Sequence, residues 1–300
     1  MKLKIFTFIK PSESATMFSH KMARFISQEL GEPIYWNDEI DGEDLDLLII
    51  VGGGMPFCRH YEALGKAVLR SENVVYCTND YATTKLPAPD NHAKTPFRKS
   101  FRLRHKHKMK PPQVWSTLEE ADAFINWNAI AWQPNFKWSE KNKPRLIYYG
   151  SWRRGRVGMF DKFFMAPKVS TVISNSSGRF EERYPKCEHI DSLTPNIVEN
   201  LAQYGLGLYL KDPKSEIEPP ACRFYEMLSA GLPMVFHHDC REMLSQYFDV
   251  ADNTLVSDVE DIARAMRNRK QIAWDQTVWH VDHSQETKKQ FHAAMKGLTK

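Results

Sequence analysis

The sequence predicts an α/β protein built from two doubly wound domains. Three observations predict it. Strand-like apolar runs alternate with helical periodicity through residue 116, the alternation lapses over residues 133–144, and it restarts at residue 145. A strand–helix–strand series makes a parallel sheet, so two series separated by an aperiodic stretch holding Pro134 and Pro144 imply two sheets and a linker. The expected organisation is an N-terminal domain over 1–132, a linker over 133–144, a C-terminal domain over 145–283 and a terminal helix over 284–300. Ligands of such sheets bind beyond the carboxyl ends of the strands, so two facing Rossmann-like sheets are expected to line a cleft.

Residues 2–9 read as a buried first strand. The stretch 16–30 is a helix with Phe18, Met22, Phe25 and Ile26 on one face, stopped by Gly31 and Pro33. Leu45–Val51 is nearly all apolar, as expected of a parallel strand covered on both faces, and it ends in Gly52-Gly53-Gly54. A helix over 61–69 leads to a strand over 73–78, which closes in Asn79-Asp80; a short strand, Gln113–Ser116, follows a basic segment. In the second half, Arg145–Tyr149 is a strand running into Gly150-Ser151-Trp152-Arg153-Arg154-Gly155-Arg156, and 169–174 is another. Thr194 and Pro195 are expected to open a helix as N-cap and first helical residue, with Ile197, Val198 and Leu201 inward. A strand over 207–210 precedes a helix over 219–230 with Ala221, Phe224, Tyr225 and Leu228 on one face. Gly231 ends that helix, and Pro233 begins the next strand, 233–236. Ser257-Asp258-Val259-Glu260 has the form of a capping box, and 284–298 reads as helical.

Composition narrows the function classes. An apolar share of 42%, with 17 Phe, 11 Tyr and 8 Trp, fills real cores and excludes a disordered chain. No apolar run approaches the roughly 20 residues needed to cross a membrane. The apolar N-terminus is too short for a signal peptide and lacks a small-residue cleavage site. The five cysteines, Cys58, Cys77, Cys187, Cys222 and Cys240, are scattered, as expected of reduced thiols in a cytoplasm. Net charge is only +4, yet residues 94–110 hold eight Lys or Arg and no acid.

Four segments carry candidate chemistry. Gly52-Gly53-Gly54 permits close approach of a ligand or another backbone, but it is not the dinucleotide fingerprint, and a plain tight turn accounts for it equally. In Glu218-Pro-Pro-Ala-Cys-Arg223-Phe-Tyr-Glu226, Arg223 and Glu226 share the first turn of a helix. A helix N-terminus with a forked guanidinium suits phosphate, and a carboxylate can accept from ribose hydroxyls; a surface ion pair is the bland alternative. Arg153, Arg154 and Arg156 after a strand suit a diphosphate, or else form a solvated cluster. The basic segment, with Arg98, Lys99, Arg102, Arg104, Lys106 and Lys108 around Phe97 and Phe101, suits nucleic acid, or else is a solvated face. The pairs His237-His238 and His280…His283 invite a metal, but neighbouring side chains on a strand point oppositely, so no metal site is expected.

The order of these segments resembles the DNA β-glucosyltransferases of T-even bacteriophages, enzymes of the GT-B class. The family's donor loop, of the type I-Y-G-G-S-F-R-S-G, is similar to Ile147-Tyr148-Tyr149-Gly150-Ser151-Trp152-Arg153-Arg154-Gly155. Its later G-D-K, nine residues and R-x-x-E is similar to Lys211-Asp212 followed by Arg223 and Glu226. Its T-D-x-R-L-P resembles Thr78-Asn79-Asp80 through Leu86-Pro87, with an insertion. Tyr149 stands at the family's first loop glycine, Arg156 matches its second loop arginine only after a shift, and Pro11-Ser12-Glu13-Ser14 matches its N-terminal Ser-Ser-Glu-Thr loosely.

The resemblance implies the GT-B fold and a UDP-sugar donor. Gly150, Ser151, Arg153, Arg156 and Arg223 would surround the diphosphate, with Glu218 beside them. Glu226 would take the ribose, Asp212 a sugar hydroxyl, and Asp80 would be the general base. It also implies Mg2+ or Mn2+ bound through the diphosphate, and double-stranded DNA with hydroxymethylated bases as partner. The expectation is a cytoplasmic, monomeric phage enzyme that transfers a sugar, with inversion, to a hydroxymethylated pyrimidine, 5-hydroxymethylcytosine first among them. Two rivals stay open: a GT-B enzyme with a glycan, lipid or small-molecule acceptor, and a nucleic-acid-binding protein without catalysis.

Overall fold

A computed structural model describes residues 1–7, 18–36, 43–52, 67–68, 70–78, 113–116, 121–174, 178–210, 220, 222–245 and 247–298. The chain forms two compact units: Met1–Ala131 with Gln285–Lys300, and Trp132–Ser284.

The sheet of the first unit runs β2-β1-β3-β4-β5-β6, from β1 (Leu3–Thr7), β2 (Ile34–Trp36), β3 (Leu45–Val51), β4 (Ser71–Thr78), β5 (Gln113–Ser116) and β6 (Ala123–Phe124). Every pairing is parallel. Parallel strands with both faces covered lose the in–out alternation, and β1 is buried at all five positions. Helix α1 (Phe18–Leu30) buries Met22, Ala23, Phe25 and Ile26. Gly31 takes φ +71 at its end, the left-handed stop that a side chain resists. β2, β6 and helix α2 (Trp127–Ala131) are additions to the sequence reading. They are too short to show a period, and tertiary burial decides them. The expected helix over 61–69 lies mostly outside the described residues.

The sheet of the second unit runs β12-β11-β10-β7-β8-β9, again all parallel. Its strands are β7 (Arg145–Tyr149), β8 (Ser170–Ser174), β9 (Glu188–Ile190), β10 (Leu206–Tyr209), β11 (Met234–His237) and β12 (Leu255–Val256). Helices α3 (Val157–Phe164), α4 (Gly178–Arg183), α5 (Ile197–Leu201), α6 (Cys222–Ala230) and α7 (Arg241–Ser245) connect them. Residues 133–144 hold neither helix nor strand and are tied to this unit. Asn135 N donates to Ser229 O at 2.9 Å, and the Trp138 indole N–H to Tyr204 O at 2.9 Å.

Three local expectations change. Helix α5 has Asn196, not Thr194, at its N-cap; Thr194 Oγ1 instead pairs with Ser192 Oγ at 2.6 Å. The capping box slides by one residue. Asp258 Oδ1 accepts from Glu260 N at 2.8 Å and Asp261 N at 3.1 Å, and Asp261 Oδ2 accepts from Ser257 N at 2.8 Å. An ionised carboxylate is a stronger acceptor than the Ser257 hydroxyl, so the aspartates take both roles.

The third change is that the helix opened there does not stop: α8 is one element, Val259–Leu298, of 40 residues. His280 to His283 therefore lie on a helix, not a strand. His280 Nε2 is 2.9 Å from Trp132 O, and burial pulls the imidazole down to about 4, so it is neutral in the folded protein. Beyond Ser284 the helix belongs to the first unit, where Phe291 meets Phe25, Trp115 and Trp127 edge-on. No helix among the described residues is long and apolar enough to cross a membrane. Among those residues Cys77, Cys187, Cys222 and Cys240 are free thiols.

Candidate active site

The chain lays β8 and β9 to one side of β7, then returns to place β10, β11 and β12 on the other. The order reverses between β7 and β10. Segments leaving the carboxyl ends of two such strands part to opposite faces, and the opening between them is where ligands of these sheets bind. Gly150 follows β7 and Leu210 follows β10, so two of the sequence-predicted donor segments leave the sheet at this reversal.

The loop after β7 is held by aromatic packing. Tyr148 is fully buried against Phe160, Phe164 and Phe180, and Trp152 packs edge-on against Phe180 at 4.9 Å. Tyr148 and Trp152 thus pin both sides of Gly150 and Ser151. Ser151 and Arg153 are exposed; Arg156 is half-buried in the single turn Arg154–Arg156, which leads into α3. That helix buries Met159, Phe160, Phe163 and Phe164, so the arginine turn sits on a firm base.

Helix α6 brings the partners. Met227, Leu228 and Phe224 are buried on its inner side, which leaves Arg223 and Glu226 half-buried one turn in. The Arg223 guanidinium stands over the Tyr209 ring, 4.9 Å from its centre, and Nη2 donates to the Leu210 carbonyl. A Cβ on Gly150 would lie 2.8 Å from Arg223 Nη1 and 3.1 Å from the Tyr148 hydroxyl. Gly150 also holds φ +154, so glycine is what lets the backbone come this close to the guanidinium.

The bond inventory points to an anion. Buried polar groups nearly always find a partner. Here Arg223 Nε, Arg156 Nε and the Tyr148 hydroxyl are buried without one among the described residues. All three are donors, and all come from residues 148–156 or from Arg223. The Arg223 guanidinium and the Tyr148 hydroxyl beside Gly150, with Arg156 on the loop that Gly150 begins, suit the oxygens of a diphosphate. The same donor set repels a bare divalent cation, so a metal would enter through the diphosphate itself.

The structure brings together Gly150, Arg223 and Glu226, with Ser151, Arg153 and Arg156 on the loop that Gly150 begins. Asp80, Asp212 and Glu218 lie outside the described residues, as do Arg98, Lys99, Arg102, Arg104, Lys106 and Lys108. Tyr149, read in the sequence only as a departure from the family's loop glycine, was given no role there. Its hydroxyl donates to Glu226 Oε2 at 2.6 Å and lies 2.9 Å from Arg223 O. The signal was a polar ring at the last position of an apolar strand, beside the loop.

Comparison with known proteins places this architecture. Two all-parallel α/β units match the GT-B fold of the similar solved structures. No protein-family model matches the chain, and no curated protein matches it significantly. Among solved structures it is similar to the DNA-modifying enzyme β-glucosyltransferase, with a TM-score of 0.63 at 12% identity over 100% of both chains. It is similar to T4 phage BGT in complex with UDP-glucose, with a TM-score of 0.63 at 16% identity over 99% of both. An α-glucosyltransferase solved with UDP and a 13-mer DNA containing an HMU base matches at a TM-score of 0.52 and 10% identity, over 100% of both.

Proposed function

We propose that this protein is a DNA glycosyltransferase that moves a sugar from UDP to a hydroxymethylated pyrimidine, 5-hydroxymethylcytosine first among them. The observation that carries the donor half is the Arg223 guanidinium, held by the Leu210 carbonyl and the Tyr209 ring and aimed at Gly150 where the strand order reverses. Arg153 and Arg156 add charge on the same loop, and Glu226 takes the ribose. Similarity to structures solved with UDP-glucose supports the same donor class. A further similar solved structure, of T4 phage BGT, holds UDP and Mn2+; here Mg2+ or Mn2+ would bind through the diphosphate and offset its charge.

The DNA half rests on residues 94–110 and on similarity to enzymes that act on or bind DNA. A base inside a duplex cannot reach a buried donor, so the target nucleotide is flipped out. The hydroxymethyl oxygen then attacks the anomeric carbon, the bond to UDP breaks with its electron pair leaving on the diphosphate, and Asp80 takes the hydroxyl proton. One displacement inverts the anomeric configuration.

The test is incubation with hydroxymethylcytosine DNA and a panel of UDP-sugars, followed by mass analysis of the nucleosides. The expected result is a nucleoside heavier by one sugar. UDP release without modified DNA would point to a glycan, lipid or small-molecule acceptor; DNA binding without turnover would leave a binding protein. A second expectation concerns the basic segment. Replacing Arg102, Arg104, Lys106 and Lys108 by alanine should lower the log–log salt slope of DNA binding by up to about 3–4, at roughly 0.9 per phosphate contact, with UDP affinity unchanged. An unaltered slope would remove the segment from the phosphate track.

A further inference from the structure

β7 ends on Tyr149, where the family that the sequence resembles carries glycine. A glycine has nothing with which to reach helix α6. Tyr149 reaches it twice, with its hydroxyl 2.6 Å from Glu226 Oε2 and 2.9 Å from Arg223 O. The hydroxyl has one proton for two acceptors, and the shorter bond, to Glu226, ties the end of β7 to the turn that holds the Arg223–Glu226 pair.

The bond to Glu226 is of the strong kind. A hydroxyl donating to a carboxylate is charge-assisted and shorter than a neutral bond. Burial, then the neighbouring Glu226 charge, holds the phenol well above its ordinary value, so Tyr149 keeps its proton and remains a donor through neutral and alkaline pH. Glutamate is a rotamer-rich side chain, and ordering it only when a ligand arrives costs affinity. A glutamate already clamped from one side presents its carboxylate in one orientation. That orientation can then discriminate between ligands differing by a single hydroxyl, because a site built to accept a hydroxyl is left unpaired when it is missing.

We propose that Tyr149 is a positioning residue for the donor nucleotide: by fixing Glu226 it sets the preference for a ribonucleotide over a 2′-deoxyribonucleotide. The inference rests on the donor-site reading above, in which Glu226 meets the ribose. Glu226 acts on the sugar of the nucleoside, away from the breaking bond, so the clamp serves binding of ground state and transition state alike. Its loss therefore raises the donor KM and spares kcat.

The experiment is calorimetry with UDP and with 2′-deoxy-UDP on the wild type, Tyr149→Phe, Glu226→Gln and the double variant. Tyr149→Phe is expected to weaken UDP about 5–10-fold and 2′-deoxy-UDP less than about twofold, so that the ratio of the two affinities shrinks. In the Glu226→Gln background the same change should add little, because the group it orients has already lost its charge. In transfer assays Tyr149→Phe should raise the donor KM and leave kcat within about twofold. Equal weakening of both nucleotides by Tyr149→Phe would reduce Tyr149 to a structural role and overturn the proposal. Unchanged UDP binding in Glu226→Gln would instead overturn the donor-site reading itself. Tyr149→Met, which fills similar volume without a hydroxyl, provides the same comparison if Tyr149→Phe does not fold.

Discussion

Exchanging Asp80 for asparagine is expected to lower sugar transfer at least about a hundredfold while UDP and DNA binding stay nearly intact. The expectation starts from β4, a buried parallel strand ending at Thr78, so that Asp80 follows two residues beyond its carboxyl end. Catalytic groups of doubly wound sheets cluster there. A hydroxymethyl oxygen is a weak nucleophile until its proton is removed, and a carboxylate within about 3 Å of it adds typically 10²–10⁴-fold as general base. Asparagine keeps the size and most of the hydrogen bonding but cannot accept the proton. Binding and turnover must therefore separate. Single-turnover transfer at saturating UDP-sugar and DNA measures the loss directly, with circular dichroism confirming the fold. Transfer within a few-fold of wild type would leave Asp80 as a turn residue bonded to its own backbone and would falsify its role as base.

Arg223→Ala is expected to weaken UDP binding by about 10–150-fold, the equivalent of roughly 1.5–3 kcal/mol for a hydrogen bond to a charged group. Half-burial and the support of Tyr209 and Leu210 keep the guanidinium in place before any ligand arrives, so little ordering cost offsets the contact. Gly150→Ala tests the same contact from the other side. Its methyl would arrive 2.8 Å from Arg223 Nη1, and the guanidinium can yield only by giving up the Leu210 carbonyl or the Tyr209 ring. The alanine variant should therefore lose UDP affinity in the same direction, although no charge is removed. Calorimetry on both variants decides it. Full affinity in Gly150→Ala would mean that the guanidinium is free to move and that the close approach has no part in binding.

Most of the architecture was legible because parallel sheets write a strong signal. Leu45–Val51 and Arg145–Tyr149 match their strands end to end, since strands covered on both faces need unbroken apolar runs. Gly231 was legible as a helix stop for a different reason: φ +72 is open to glycine and costly for other residues. The failures have reasons of the same kind. Asp258 displaced Ser257 as the N-cap because two acceptors lay within one residue and the ionised carboxylate is the stronger of them. α8 read as two helices because the sequence marks a start at the capping segment and a separate helical run over 284–298, whereas the structure has one helix whose residues up to Ser284 belong to one unit and those from Gln285 to the other.

The sequence by itself determined the two parallel sheets, the breaks between their elements, and the residue types at Arg153, Arg156, Arg223 and Glu226 that are proposed to take a diphosphate and a ribose. Each of those depends on spacing along one element, and spacing is a property of the chain. Only the tertiary structure decided that Gly150 meets Arg223, 73 residues away, and that Tyr149 binds Glu226. Those contacts exist because β10 hydrogen-bonds to β7 after the chain has first laid β8 and β9 on the other side. Strand order is settled by which buried faces pack together. A pattern of apolar residues records that a strand is covered, but not which strand covers its edge.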